Sequence, residues 1–250
     1  MSVAIYEFPL SEKVRNYLRL EQLFAQLNST IESDNKFQTL YFFDVLFTML
    51  DLLERIDLRT DLIRDIDVHE KNLVHWSSHP NIDTQALNKA LQQIHDIIAQ
   101  LKTTKKLGSN LKEDKFLSSI RQRFSIPGGA TSFDLPNLFC WINQALENRQ
   151  AHITQWLSQL SLVQDSISLL LSFLREKGQF KTIVGENAFY QAMVDNKIDM
   201  VRVKYDTSSG FYPVLSGNKH RYGIKFMELH PSAGSSGAVA QQVIFELASC

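Results

Sequence analysis

The spacing of apolar residues changes once along the chain, near Gly178, and this change constrains the fold more than any other feature. From Ser11 to about Gly178, apolar residues recur at the spacing of helices that bury one face. After Gly178 the period becomes two, as in strands with one buried face. The sequence therefore predicts an α+β protein, with an all-helical domain over 1–178 and a small antiparallel β-domain over 179–250.

Local signals predict where helices in the first domain begin and end. Asp83 is a predicted N-cap, and Gly108 can take the left-handed conformation that closes a helix. A fifth helix is expected over 111–124, before the helix-breaking segment 127–129. Pro136 stands where the first turn of a helix tolerates proline, so helices resume there.

Alternating apolar residues predict the strands of the β-domain. They occur over 201–205, 221–227 and 243–247, with turn-forming residues between them, and predict one small antiparallel sheet. The alternation over 3–8 suggests an N-terminal strand that adds to this sheet. The segment 231–237 is rich in serine, alanine and glycine, so we expect a mobile loop there.

Composition excludes several classes of protein. The chain has 26 Lys and Arg against 27 Asp and Glu, so its overall charge indicates neither a nucleic-acid nor a membrane partner. Its two cysteines, Cys140 and Cys250, form no metal or disulfide pattern, and Cys140 is predicted to be a small buried apolar residue. No signal peptide or membrane span is expected, which predicts a soluble protein of the reducing cytoplasm.

The sequence predicts no cofactor, no metal site and no catalytic residues. The segment 127–129 lacks the phosphate-loop pattern, and no serine lies near a histidine in a hydrolase motif. The spacing of four histidines does not place three imidazoles on one helix face. These histidines, predicted to be solvated, are His69, His75, His79 and His95. We therefore expect a protein that is not an enzyme.

Basic residues concentrate in the β-domain. Between residues 197 and 225 there are six Lys or Arg against two acids. Because residues two apart on a strand share a face, Arg202 and Lys204 would form one basic face and Arg221 and Lys225 a second. The alternative is that all four are ordinary basic residues on a solvated sheet face.

Gly223 lies between Arg221 and Lys225 on the second basic face. A glycine there leaves a gap with no side chain, where another backbone could approach the sheet. The residues that alternate with this face are expected in the core. They are Tyr222, Ile224 and Phe226.

The segment 121–136 resembles the signature segment of the ZapD family of bacterial cell division proteins. It contains Arg-Gln-Arg-Phe-Ser-Ile-Pro-Gly-Gly, continuing Ala-Thr-Ser-Phe-Asp-Leu-Pro. Other segments are similar to the family in the same order: Phe8-Pro9-Leu10, Glu54-Arg55, the stretch 216–227 and the closing stretch 245–248. The resemblance spans essentially the whole chain.

The resemblance implies a non-enzymatic cytoplasmic adaptor that is recruited to the mid-cell division ring. It implies a homodimer that binds the C-terminal peptide of FtsZ and crosslinks FtsZ filaments. The implied site is a basic pocket between the two domains, with arginines at positions that match Arg55, Arg221 and Lys225. Lys225 departs from the family, because lysine keeps the charge but lacks the planar guanidinium that holds a carboxylate through two hydrogen bonds. Further candidates for the peptide site are Arg59, Arg202, Lys204 and Lys219.

Three alternatives remain open. Arg55 could simply pair with Asp51, four residues earlier on the same helix. The basic face of the β-domain could bind nucleic acid, although the aromatic residues on the strand of Arg221 should face away from it. The aromatic run that begins at Tyr41 is predicted to be core, with a dimer face as the alternative.

Overall fold

The computed structural model describes residues 2–76, 83–104, 106–194, 198–217, 220–229 and 241–250, and within them the α+β class is confirmed. The helices are α1 (Glu12–Thr30), α2 (Lys36–Arg55), α3 (Leu58–Trp76), α4 (Thr84–Thr103), α5 (Ser109–Glu113), α6 (Lys115–Phe124), α7 (Pro136–Ile142), α8 (Leu146–Ser158) and α9 (Ser161–Lys177). The strands are β1 (Val3–Pro9), β2 (Lys181–Gly185), β3 (Phe189–Met193), β4 (Met200–Asp206), β5 (Phe211–Gly217), β6 (Arg221–Glu228) and β7 (Val243–Ser249).

The chain divides into two compact units. The helical unit comprises Arg19–Leu170, and the β unit comprises Met1–Leu18 together with Leu171–Cys250. The β unit therefore includes the first part of α1 and the end of α9, so that the unit boundary lies inside helices, whereas the sequence predicts a domain boundary at 178.

The helical unit is built around α2. The ring of Phe43 lies 5.3 Å from that of Trp141 and 5.8 Å from that of Trp156, centroid to centroid. Tyr41 itself is 38% exposed, but most apolar residues that follow it on this helix are buried in the same way, which confirms the core interpretation for them. They are Phe42, Phe43, Val45, Leu46, Phe47, Met49, Leu50 and Leu53. Since a single chain already covers these side chains, they do not form a dimer face.

Two of the predicted helix signals need correction. Asp83 caps α4 as expected, because its carboxylate accepts hydrogen bonds from the backbone N–H groups of Gln85 and Ala86. The fifth helix is divided into α5 and α6 at Asp114, whose side chain caps α6. Gly108 is left-handed, with φ of 72°, but it precedes α5 instead of closing α4.

The β unit contains two antiparallel sheets, not one. A four-stranded sheet has the order β1-β4-β7-β2, and a three-stranded sheet has the order β3-β6-β5. The alternation over 3–8 corresponds to β1, which pairs with β4. The sequence prediction missed β2, β3 and β5.

The core of the β unit lies between inward-facing residues of both sheets. The ring of Phe226 lies 4.9 Å from that of Tyr205 and 5.1 Å from that of Phe245. Tyr222, Ile224 and Phe226 are all buried, as predicted. The side of β6 that faces the core is therefore established, and the alternate residues must lie on the opposite side.

One of the two cysteines, Cys140, differs from the prediction. Cys140 is exposed, because the buried residues of α7 include Leu138 and Trp141 and lie on another face of the helix. Cys250 is buried, and burial raises the pKa of its thiol.

The described residues contain no group of three His, Cys, Asp or Glu side chains that could hold a metal ion. His95 Nε2 lies 2.7 Å from Glu70 Oε1, while His79 lies outside the described residues. In the same parts of the chain no single helix is long and apolar enough to cross a membrane. Only α8 and α9 taken together meet that criterion, with a bend of 61° between them.

Candidate functional site

Arg221 and Lys225 lie exposed on the outer side of β6. The side chains that alternate with them are buried between the sheets, so the strand fixes the direction of both basic residues. At about 3.3 Å per residue, their Cα atoms are separated by about 13 Å along the strand. Two cationic groups therefore stand on one face at a spacing that an extended peptide can span.

The neighbouring strands place apolar residues beside this pair. Phe189 and Met193 of β3 lie opposite Lys225 and Arg221, and Val214 of β5 lies opposite Lys225 on its other side. Their exposed fractions are 45% for Phe189, 80% for Met193 and 43% for Val214. We call this surface the basic outer face; it consists of Phe189, Gln191, Met193, Val214, Ser216, Arg221, Gly223 and Lys225.

The gap expected at Gly223 is partly filled. A Cβ added to Gly223 would lie 3.2 Å and 3.3 Å from two ring atoms of Phe189, so the phenyl ring lies over the glycine. Beside it is a shallow pocket of about 440 Å³, whose lining includes Gln191, Ser216 and Arg221. The open groove for a second backbone is therefore replaced by a small pocket next to an aromatic ring.

Arg202, a predicted site residue, is held inside the β unit. It lies on β4 in the four-stranded sheet, and its Nε is 3.0 Å from Glu7 Oε1. Arg175 donates to the same carboxylate from Nε at 2.8 Å and from Nη2 at 2.7 Å. Burial acts to raise the pKa of Glu7, but the hydrogen bonds and charges of Arg175 and Arg202 outweigh it and hold the pKa below its usual 4.5. The cluster joins β1, α9 and β4.

Lys204 is also paired, and it lies in the same sheet as Arg202. Its Nζ is 2.6 Å from Glu246 Oε2, and Glu246 is its direct partner on β7. Its ammonium group also stands 5.8 Å from the ring centre of Phe180. The structure therefore does not place Arg202 and Lys204 in the sheet that carries Arg221 and Lys225.

Arg59 of the helical unit caps a helix. Its Nε donates to the carbonyl of Leu101 at 2.7 Å, and its Nη2 donates to that of Lys102 at 3.0 Å. These carbonyls belong to the last turn of α4, where a cation is favoured by the helix dipole.

Arg55 is the exposed last residue of α2 and makes no ion pair or hydrogen bond with the described residues. The alternative in which it pairs with Asp51 is wrong, because Asp51 forms its ion pair with Arg121. Glu54, next to Arg55, is bound by Lys112, which lowers the pKa of that carboxyl with help from Arg121. Lys219 and the loop 231–237 lie outside the described residues.

Sequence reasoning missed Phe189 and Met193. Their strand is only five residues long, and both were assigned to no element. A turn signal does precede β3: Asn187 and Ala188 have φ of 51° and 53°, and Asn is favoured in turns with positive φ.

The fold and this surface define a two-unit α+β protein with a basic and partly apolar sheet face. The profile of the ZapD family, described as a cell division protein family, matches residues 18–225. Similar proteins, each named cell division protein ZapD, occur in Idiomarina loihiensis (38% identical over 98% of this chain and 96% of the relative), Vibrio parahaemolyticus (37%, over the whole of both chains) and Pectobacterium carotovorum (34%, over 100% and 98%).

The chain therefore belongs to the ZapD family of cell division proteins. Members of this family are not enzymes, in agreement with the prediction from sequence.

Proposed function

We propose that the chain binds the C-terminal peptide of FtsZ on the basic outer face and, as a homodimer, crosslinks FtsZ filaments at the division ring in the cytoplasm. One observation carries the proposal most: Arg221 and Lys225 are exposed on the same side of β6, within a chain of net charge −1. Membership of the ZapD family supports FtsZ as the partner.

Electrostatics favours Lys225 over Arg202 and Lys204 as a partner for an incoming carboxylate. Arg202 and Lys204 already neutralise Glu7 and Glu246, so an incoming carboxylate would have to displace an existing partner. Lys225 has no ion pair with the described residues. A carboxylate that binds an exposed cation forms a charge-assisted hydrogen bond, which is about twice as strong as a neutral one.

Arg55 contributes a third exposed cation to the proposal. It belongs to the helical unit, while Arg221 and Lys225 belong to the β unit. Its exposed guanidinium has no partner among the described residues, and its assignment to the peptide site rests on the family resemblance.

Crosslinking requires at least two peptide sites in one particle. A symmetric dimer supplies both from a single gene product, and many weak contacts along a filament then add up to strong binding.

A second candidate function, the binding of single-stranded nucleic acid, has one observation in its favour. Phe189 places an exposed aromatic ring beside Lys225, which the sequence of β6 alone did not suggest. Bases stack on such rings, and basic residues attract phosphates. Binding of a fluorescent single-stranded oligonucleotide at physiological salt, with an affinity above that for the FtsZ peptide, would favour this function.

Co-sedimentation with polymerised FtsZ tests the proposed function. We expect the chain to pellet with full-length FtsZ and to remain in the supernatant with FtsZ that lacks its C-terminal peptide. Light scattering of the chain alone should give the mass of a dimer at micromolar concentration. Equal pelleting with both forms of FtsZ contradicts the peptide site, and a monomer that still bundles filaments contradicts the crosslinking mechanism.

A further inference from the structure

β3 forms one edge of the three-stranded sheet and pairs on one side only, with β6. The backbone N–H of Val194 donates to the carbonyl oxygen of His220 at 2.8 Å, and that of Phe226 donates to the carbonyl oxygen of Ala188 at 2.9 Å. In an antiparallel pair, hydrogen-bonded residues alternate with residues whose N–H and C=O groups point the other way. By this alternation, the backbone groups of Gln191 and Met193 point away from β6, toward the open edge.

The opposite edge of the same sheet is protected. Leu229 donates to Gly210 at 2.8 Å, and the register then directs the backbone of Pro213 away from β6. Proline has no N–H, so β5 offers no donor at the centre of its open side. Proline at such a position is one of the ways in which proteins prevent a further strand from pairing.

β3 lacks this protection. Of the four edge strands in the described residues, β1 carries Glu7 and Pro9, β2 carries Lys181 and β5 carries Pro213. β3 has the sequence Phe-Tyr-Gln-Ala-Met, without a charge or a proline. An edge strand of apolar and aromatic residues that has no such device favours pairing with another strand.

We infer that the ligand of the basic outer face binds as an added strand along β3, and that it is an extended peptide in which acidic and apolar residues occur together. This inference rests on the proposed function and specifies how the FtsZ peptide is held. The added strand would lie about 4.8 Å from β3 and about 10 Å from β6. Apolar side chains of the peptide would contact Phe189 and Met193, and its carboxylates would face Arg221 and Lys225 across them.

The charges of β6 favour an acidic peptide over a second copy of β3. Arg221 and Lys225 are the direct partners of Met193 and Phe189, so the row of side chains behind the edge is basic. A second β3 would bring no acid to this row, because its five residues carry no charge. An acidic peptide, in contrast, supplies backbone hydrogen bonds and places carboxylates beside this basic row.

The first test changes the peptide and leaves the protein untouched. In a series of FtsZ C-terminal peptides, each with one N-methylated backbone amide, we measure affinity by fluorescence anisotropy. An added strand directs alternate N–H groups toward β3, so methylation at every second position should weaken binding at least about tenfold, while the intervening positions stay within about twofold. If methylation changes affinity to the same extent at every position, the proposal of an added strand is wrong.

The second test changes the edge of β3. Gln191→Pro removes the outward-pointing N–H together with the side-chain amide, whereas Gln191→Ala removes only the side-chain amide and keeps the N–H. We expect Gln191→Pro to weaken peptide binding at least about tenfold relative to Gln191→Ala, since only the proline variant loses the outward N–H. Circular dichroism shows whether the sheet is intact in both variants. If Gln191→Pro is misfolded, the methylated peptides still test whether the peptide pairs with β3.

The possible outcomes separate this inference from the proposed function. If the wild-type chain does not bind the peptide, both fail. If Arg221→Glu abolishes binding while Gln191→Pro and the methylated peptides bind normally, the function stands and the added strand is wrong. If Gln191→Pro changes the mass of the dimer but not peptide affinity, a second copy occupies the edge, which also overturns the inference.

Discussion

Lys225 lies directly opposite Phe189 in the three-stranded sheet, and both side chains are exposed on its outer face. A partner that binds this surface therefore meets a cation and an aromatic ring side by side. The ring also covers Gly223, which leaves a small pocket between it and Arg221. The surface thus combines charge attraction with apolar contact, and each contribution can be measured separately.

Salt should weaken peptide binding without abolishing it. Attraction to exposed cations is screened over a Debye length of about 8 Å at physiological ionic strength and about 3 Å at 1 M salt. Contacts with Phe189 and Met193 do not depend on screening in this way. Titrations from about 50 mM to about 1 M NaCl should show affinity that falls and then levels off. Affinity that is constant throughout would mean that the cations do not contribute.

Replacing Lys225 by arginine should tighten peptide binding. Arginine presents the planar group that holds a carboxylate through two hydrogen bonds, whereas lysine offers a single point charge. We expect Lys225→Arg to improve affinity by about two- to tenfold in calorimetric titration. Lys204→Ala is the control, because Lys204 is paired with Glu246 and should leave affinity unchanged. A larger loss for Lys204→Ala than for Lys225→Ala would place the site on the other sheet.

Glu7 should make the free energy of unfolding fall at acid pH. Since the folded state lowers its pKa below 4.5, the unfolded state takes up a proton first as the pH falls. Its stabilising contribution is complete above the ordinary pKa and is lost as the pH drops through the lower pKa of the folded state. Urea unfolding between about pH 7 and pH 3 should show a smaller loss of stability in Glu7→Gln than in the wild type. Parallel curves for the two proteins would contradict this role.

Two phenylalanines of α2 should behave in opposite ways. Phe43 is fully buried in the aromatic core, whereas Phe37 is 79% exposed on the same helix. Phe43→Ala should reduce the free energy of unfolding by about 3–5 kcal/mol, and Phe37→Ala should change it by less than about 0.5 kcal/mol. Chemical denaturation followed by circular dichroism measures both. If Phe43→Ala instead turned a dimeric wild type into a stable monomer, α2 would be an interface and not a core helix.

The parts of the fold with strong periodic patterns could be predicted from the sequence. The α+β class and the inward direction of Tyr222, Ile224 and Phe226 follow from the period of apolar residues, which depends only on local geometry. The short strand β3 was missed because five residues with a mixed pattern do not distinguish a strand from a loop.

The state of each charged side chain could not be predicted, because ion pairs join residues that are distant in sequence. Arg202 is bound by Glu7 from the other end of the chain, and Arg59 caps a helix more than forty residues later, at Leu101. The sequence identifies these residues as basic, but only the tertiary structure shows that each one already binds another group of the chain. The prediction that Cys140 is buried was wrong for a related reason, since an apolar run on a short helix still has one exposed face.

The most direct test of the account is peptide binding by Arg221→Glu compared with Tyr222→Glu. Charge-assisted contacts are worth about 1.5–3 kcal/mol, so reversing the charge at Arg221 should lower affinity for the FtsZ C-terminal peptide at least about tenfold. Because Arg221 is exposed, the free energy of unfolding should change by less than about 0.5 kcal/mol. Tyr222 is buried, so Tyr222→Glu should unfold the β unit. Wild-type affinity in a folded Arg221→Glu protein would contradict the proposed site.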